Sequence, residues 1–430
     1  MDPEGVEEEP INWSLSLRQI SCILFAIYFV GTGFLLLLTE RGLAEQWKIT
    51  IIESDHRIAG CMASWIHTYG GDRSESANSI FSSRDGYILV GHTNSYREGN
   101  GLYVVKINSR GNIVWERNHP HQGTWTWGSI AEGDDGNYLI AVTADVSEEE
   151  WSYDTDIQLV KTNRNGKLVW SRYYGVRGND KNDWATSCIN TGDGGFIVVG
   201  STTVGNSLPD IYVLKVDVDG EVVWEKRHGG DGVDTARAIT SSGDGFVIAG
   251  TTTSYGEEDP QTGIDVCLLK IDSQGEIVWE KRYPTETGDV VKAITSTGDG
   301  YLLVGKTVSN GWEGTDILVM KVDKNGEPEW RRTYGGDSWD EATSVKESLY
   351  GGYIISGGTD RSWTPGEKTT GIYVIKIDLT GELVWEYRYG GNHQPAIATP
   401  QNADGAFYLA SSTGGDIIVL KIQEIQGNDT

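Results

Sequence analysis

Short apolar runs bounded by Gly, Asp, Asn and Ser recur along the chain, and their order is the same each time. In one stretch Ala236-Arg237-Ala238-Ile239-Thr240 leads through a Gly243-Asp244-Gly245 turn to the continuous apolar run Phe246-Val247-Ile248-Ala249-Gly250. A variable segment follows, then Val266-Cys267-Leu268-Leu269-Lys270-Ile271, a tight Asp272-Ser273-Gln274-Gly275 turn and Ile277-Val278-Trp279-Glu280. Runs rich in Val, Ile and Tyr between such turn residues predict strands. Four antiparallel strands in this order predict one propeller blade.

A tryptophan closes each unit. Trp65, Trp115, Trp170, Trp224, Trp279, Trp330 and Trp385 lie 50, 55, 54, 55, 51 and 55 residues apart, a period that belongs to propellers or arrays. The phrase is K-x-D/N-x-x-G-x-x-x-W, and its third-strand lysines Lys106, Lys161, Lys215, Lys270, Lys321, Lys376 and Lys421 count seven blades. Lys421 has no such phrase after it, and Trp65 has no third strand before it. The offset predicts that Trp65-Ile66-His67-Thr68-Tyr69 supplies the outer strand of the blade whose inner three strands come from residues near 395–423. Closing the ring in this way leaves no strand edge unpaired. The expectation is an all-β, seven-bladed β-propeller of four-stranded antiparallel blades over residues 61–423, with a C-terminal tail at 424–430. Within it the seven tryptophans are expected to be buried between blades, and the turn Asp, as in Asp217 with Gly220, to accept backbone hydrogen bonds. The lysine stems should lie over blade faces and release their ammonium groups at the rim.

Ahead of the ring, an acidic tail (1–19) precedes nineteen uncharged residues, Ile20 to Leu38. At about 1.5 Å per residue this run is long enough to cross a hydrocarbon core as a helix. It predicts an uncleaved transmembrane anchor at 20–38, followed by a juxtamembrane linker at 39–60. Arg18 is the sole basic side chain before the span, whereas Arg41 and Lys48 follow it, a balance that specifies orientation weakly. We expect an extracytoplasmic propeller.

Charge narrows the partners further. The formal net charge of -27 over 430 residues repels phosphate backbones and argues against a nucleic-acid binder. Cys22, Cys61, Cys188 and Cys267 stand far apart and form neither a disulfide framework nor a C-x-x-C pair. Ile58-Ala59-Gly60-Cys61 matches a lipoprotein cleavage box locally, but charged Glu53-Ser54-Asp55-His56-Arg57 stands where an apolar core is needed.

The repeats resemble those of PQQ-like, or quinoprotein-like, β-propellers, in which a D-x-x-T-G turn leads into a docking tryptophan; Asp378-Leu379-Thr380-Gly381-Glu382-Leu383-Val384-Trp385 is the best match. The combination W-x-x-x-Y-G-G, D-G-Y-I-V-x-G-x-T and Y-V-x-K-x-D-x-x-G is similar to uncharacterised repeat propellers of archaeal and bacterial surface proteins. The likeness covers residues 61–423 and implies fold, not activity. Lysine stands where the PQQ-like repeat has alanine, there are seven repeats and not the eight of the quinone enzymes, and the adjacent cysteine pair is missing. Only the tryptophan docking positions carry over, and no cofactor is implied. Kelch repeats place their double glycine elsewhere.

Candidate chemistry lies off the seven-fold series. Trp125, Trp127, Trp151, Trp184, Trp312, Trp339 and Trp363 all fall in or beside the variable connections, which in an antiparallel blade gather at one end of the ring. Acidic residues accompany them, among them Asp180, Asp337, Asp183, Asp234 and Asp340. Exposed aromatic planes with carboxylates suit sugars or cationic groups. The competing assignment is local: in Asp183-Trp184-Ala185 and Asp234-Thr235-Ala236 the Asp recurs at the repeat period and would cap backbone. The expected function is a binding or scaffolding module for a protein or glycan. A glycan-active hydrolase or lyase with mouth carboxylates, and a surface-layer spacer, are the alternatives. No catalytic motif and no metal site are written in the chain; His119 and His121 read as a loop pair flanking Pro120.

Overall fold

A computed structural model of the chain describes residues 61–71, 74–94, 101–120, 128–146, 154–175, 182–203, 207–254, 263–285, 288–309, 314–336, 339–360, 370–389, 394–399, 405–413 and 415–424. The apolar span at 20–38 and its flanks lie outside the described residues. Seven four-stranded antiparallel sheets are present. In six of them the strands follow chain order from the first, innermost strand to the fourth, outermost one, as in blade 4 with Asp234–Ser241, Phe246–Thr252, Asp265–Ile271 and Ile277–Tyr283. The first strands are Glu75–Ser83, Gly128–Glu132, Asp183–Asn190, Asp234–Ser241, Asp289–Ser296, Asp340–Glu347 and Ile397–Ala398. Each touches the first strands of the two neighbouring blades, the last touching the first. They therefore form a closed inner ring, the geometry of a seven-bladed β-propeller.

Blade 7 is assembled from both ends of the ring sequence. Ile397–Ala398, Ala406–Thr413 and Asp416–Glu424 are completed by Cys61–Tyr69, which pairs antiparallel with the third strand from Cys61 opposite Glu424 to Tyr69 opposite Ile417. The offset tryptophan accordingly sits opposite Lys421, as Trp279 sits opposite Lys270 in blade 4.

Burial follows strand position. The second and third strands of blade 4 are buried at every residue, because neighbouring blades cover both faces and a continuous apolar run is the pattern that such a strand requires. The fourth strands have one side in water, so Val222 and Val223 remain 50% and 53% exposed. A bulge interrupts the inner strand at the same place in five blades, between Ala236 and Ala238 in blade 4 and between Val291 and Ala293 in blade 5. It pushes the Thr235 carbonyl into the space a Cβ would need on Gly250, which explains why the second strand carries a glycine there.

The repeating tryptophans are less enclosed than expected. Trp65, Trp115, Trp170, Trp224, Trp279 and Trp330 are half-buried, and only Trp385 is buried. Each of the six lies on the turn glycine of the next blade: a Cβ on Gly111, Gly166, Gly220, Gly275, Gly326 or Gly381 would meet the indole at 2.6–3.0 Å. Trp170 and Trp224 also donate their indole N–H to turn carbonyls of Val218 and Ser273, both at 3.3 Å. The indole thus lies along a surface turn and keeps one side in water. Blade 7 has no such turn, because its third and fourth strands come from opposite ends of the ring sequence. Trp385 instead stacks on Phe407 of blade 7 with ring centroids 6.5 Å apart.

The third-strand lysines also differ from expectation. Lys106, Lys161, Lys215, Lys270 and Lys321 do not release their ammonium groups; each pairs at 2.5–2.9 Å with an Asp in the turn between the first two strands of its own blade. Blade 6 has no Asp in that turn. Its Lys376 pairs with Glu424 of blade 7 at 2.5 Å, and both side chains are nearly inaccessible at 4% and 6%.

Candidate functional site

The connections entering each first strand, and those joining second to third strands, gather at one end of the ring. Of the residues predicted to form a ligand face, Trp184 and Trp339 are described; Trp125, Trp127, Trp151, Trp312, Trp363, Asp180 and Asp337 lie outside the described residues.

Trp339 stands one residue before the inner strand of blade 6. Its N–H donates to Asp360 Oδ1 at 2.6 Å, its carbonyl accepts from the Asp360 N–H at 2.9 Å, and its backbone forms a bridge with Thr315. So anchored, the side chain remains 52% exposed. The Lys306 ammonium lies 5.6 Å from the centroid of its ring and 3.5 Å from Glu341. Trp184, half-buried, is the second residue of the inner strand of blade 3, opposite Ser201. In register it matches Thr235, Val290 and Glu341 of the next three blades. Trp184 and Glu341 therefore occupy one level of the inner ring, with Trp339 and Lys306 beside it.

The acidic residues divide differently. Glu75, Asp183, Asp234, Asp289 and Asp340 each open an inner strand, are buried, and stand opposite a threonine of the second strand. Asp234 Oδ2 accepts from the Gly230 N–H at 2.8 Å and the Ser254 hydroxyl at 2.6 Å; Glu75 Oε2 accepts from the Gly71 N–H at 2.9 Å; Asp340 Oδ2 accepts from the Gly336 N–H at 3.1 Å. Asp289 takes up Arg331 at 3.1 Å. Glu75, Asp234 and Asp340 thus hold the arriving connection through its backbone, the short-range capping role that Asp and Ser side chains favour, while Asp289 is held in an ion pair. Burial raises the Asp340 carboxyl above its ordinary range; the Asp316 charge adds to this, against Thr359, Arg388 and the Gly336 N–H.

Other reactive groups are accounted for by packing. Burial pushes the thiols of Cys188 and Cys267 up to about 12, which makes them inert small side chains. His119 belongs to the fourth strand of blade 1, opposite Leu102, and not to a loop; His121 lies outside the described residues. Among the described residues no group of three or more His, Cys, Asp and Glu is arranged to hold a metal ion. A cleft of about 330 Å³ lined by Arg331, Arg332, Tyr334 and Glu382 lies at the outer junction of blades 5 and 6, where Arg332 pairs with Glu382 at 2.7 Å. It belongs to blade packing.

Neither a protein-family model nor a curated protein sequence matches the chain. Among solved structures, the chain is similar to a protein of unknown function from Dyadobacter fermentans, at 12% identity and a TM-score of 0.49, covering 85% of this chain and 100% of that one. It is also similar to the subtype N10 neuraminidase-like protein of a little yellow-shouldered bat isolate, at 11% identity and a TM-score of 0.41 over 85% and 99% of the two chains. A subtype N11 neuraminidase-like protein of a flat-faced bat isolate gives 13%, 0.43, 89% and 98%. These likenesses assign no activity.

Sequence reasoning singled out Trp339 and Trp184 but missed Lys306. The signal was present: second strands read Gly91-His92-Thr93, Gly200-Ser201-Thr202, Gly250-Thr251-Thr252, Gly305-Lys306-Thr307 and Gly357-Gly358-Thr359. The residue between the bulge glycine and the capping threonine is the one that varies, and it faces the inner ring level of Trp184.

Proposed function

We propose that this chain is a membrane-anchored, extracytoplasmic propeller that binds a protein or glycan partner with the end of the ring bearing Trp184 and Trp339. The observation that carries this reading is Trp339: an indole left half in water while its backbone is held by two hydrogen bonds to Asp360. A rigid exposed aromatic loses little conformational entropy on binding and offers a large contact area. Lys306 already lies near that ring, so a neutral C–H or apolar surface is a better occupant than a second cation. Glu75, Asp234 and Asp340 each accept a backbone N–H, which favours binding over acid–base chemistry.

The test uses the full-length chain in mild detergent against glycan arrays and extracts of surface proteins. Trp339→Ala and Trp184→Ala should each weaken binding at least tenfold. Trp339→Ala should change stability by no more than about 0.5 kcal/mol, the ordinary range for an exposed position. Unfolding at lower denaturant with binding intact would assign Trp339 to packing and end the proposal. The anchor at 20–38 is tested separately, by resistance of the chain to alkaline extraction from membranes.

A further inference from the structure

The end of the ring opposite the loops is built from the turns that join first to second and third to fourth strands, and it holds most of the exposed apolar surface. Of the seventeen large apolar side chains that stand exposed among the described residues, Tyr173, Leu208, Ile264 and Trp339 lie toward the loop end and the other thirteen toward the turns. Eight of the thirteen form four pairs. Blades 1 to 4 each open the fourth strand with two aliphatic residues directly before the docking tryptophan, from Ile113-Val114 round to Ile277-Val278, and all eight are 46–55% exposed. Scattered exposed apolar residues are ordinary, but a contiguous set of this kind marks an interaction surface.

The fold does not need these pairs. Blade 5 has Pro328-Glu329 in the same register, with Pro328 opposite Val322 as Ile277 is opposite Ile271, and its fourth strand has the same length. Blades 1 to 4 are neighbours, so the pairs form one band along one side of the ring. Beside that band stands blade 7, whose outer strand opens with Cys61 at the turn end. The surroundings of the band suit a boundary between lipid and water. A half-buried indole follows each pair, and Arg117 and Arg172 lie 5.7 and 5.8 Å from the Trp115 and Trp170 ring centroids. The neighbouring Glu221 and Glu276 are matched by Arg172 at 2.6 Å and Lys226 at 2.7 Å, so each carries its counter-charge with it. Indoles and long basic side chains are the groups that a headgroup layer accommodates.

We infer that the turn-side rim of blades 1 to 4 is a membrane-docking surface, with which the ring rests against the zwitterionic headgroups of a lipid bilayer. The choice of occupant rests on the anchor proposed above: the uncharged run ends at Leu38, and the chain enters the ring at Cys61, at the same end as the band. Residues 39–60 cannot span more than about 80 Å even fully extended. A tether of this kind makes docking an intramolecular event at an effective concentration on the order of mM, so a patch too weak to bind from solution is sufficient. The net charge of -27 selects neutral lipid over anionic lipid. Docked in this way, the ring turns Trp184 and Trp339 away from the bilayer and leaves them open to a partner.

The test places the full-length chain, with Trp13→Phe and Trp47→Phe so that the ring alone reports, in phosphatidylcholine nanodiscs in which part of the lipid carries bromine on its acyl chains. Bromine quenches the rim indoles on contact. Val169→Glu, Val223→Glu and Val278→Glu together install the residue that blade 5 uses and should lower the quenching at least twofold, with the urea midpoint unchanged. The same three positions changed to Gln should lower it as well, which separates lost apolar contact from added charge. Leu208→Glu with Ile264→Glu, at the loop end, should leave it as it was. Equal quenching in the parent and both rim variants, in a chain that still resists alkaline extraction, overturns the docking surface and leaves the anchor standing. Alkaline release with rim-dependent quenching retained does the reverse. A detergent-solution mass that halves in the rim variants, with no quenching of the parent, assigns the band to contact between copies and also overturns the inference.

Discussion

Replacing Glu424 by Gln keeps the shape of the side chain and removes one charge from a pair that water barely reaches. Lys376 Nζ lies 2.5 Å from Glu424 Oε1, and the Ser348 hydroxyl bridges the two, receiving the ammonium at 2.5 Å and donating to Oε2 at 3.0 Å. With both partners at 4–6% exposure, the variant strands an ammonium in a site without counter-charge, a loss of about 3–5 kcal/mol. Lys270 offers the contrast. Its partner Asp244 is 71% exposed, so Asp244→Asn should cost about 1 kcal/mol or less. Urea denaturation followed by tryptophan fluorescence, with the slope unchanged between variants, measures both. Lys376→Met with Glu424→Leu should recover most of the loss, since replacing a buried pair by apolar groups of similar volume is neutral or better. Equal small losses for Glu424→Gln and Asp244→Asn would show that water reaches the pair. A double variant no better than Glu424→Gln would show that the carboxylate acts through shape.

The turn glycines and the acid limb supply two further tests. Gly275 and Gly243 both have φ near +80°, but a Cβ on Gly275 meets the Trp224 ring at 2.8 Å whereas Gly243 has nothing within 4 Å; Gly243→Ala should cost about 1–2 kcal/mol for backbone alone, and Gly275→Ala measurably more by urea melt. Asp193 is held down to about 2, first by its hydrogen bond to Lys215. Its folded value lies below the ordinary 3.8, so its contribution is present above that value and fades as the pH falls toward 2. Asp193→Asn should flatten that part of the pH–stability curve, by a small amount because the side chain is 56% exposed.

The ring was legible because its signals are local and repeated. A tryptophan at a fixed distance from a D-x-x-G turn reports a hairpin and a docking contact together, and the displaced Trp65 was enough to place the closing strand. The partners of the third-strand lysines were not legible, since Lys270 and Asp244 lie 26 residues apart and meet only once two hairpins are paired. Glu424 was harder still, because its partner belongs to another blade. At the loop end the sequence distinguished the tryptophans but not the two classes of carboxylate. Asp234 and Asp231 look equivalent as letters; the first is buried and accepts the Gly230 N–H and the Ser254 hydroxyl, whereas the second is exposed.

Closure by Cys61–Tyr69 also sets an order of events in biosynthesis. Six blades are contiguous hairpin stacks that can form as each emerges, whereas this strand appears first and its partner, Asp416–Glu424, appears last. At about 5–20 residues per second the wait is roughly 20–70 s. Throughout that interval the chain presents a free strand at one end and an incomplete sheet at the other, both templates for pairing with another chain. Until it ends, a neighbouring copy can supply the missing strand as well as the chain's own Cys61–Tyr69 does, so the yield of closed monomer should fall as the concentration of nascent chains rises.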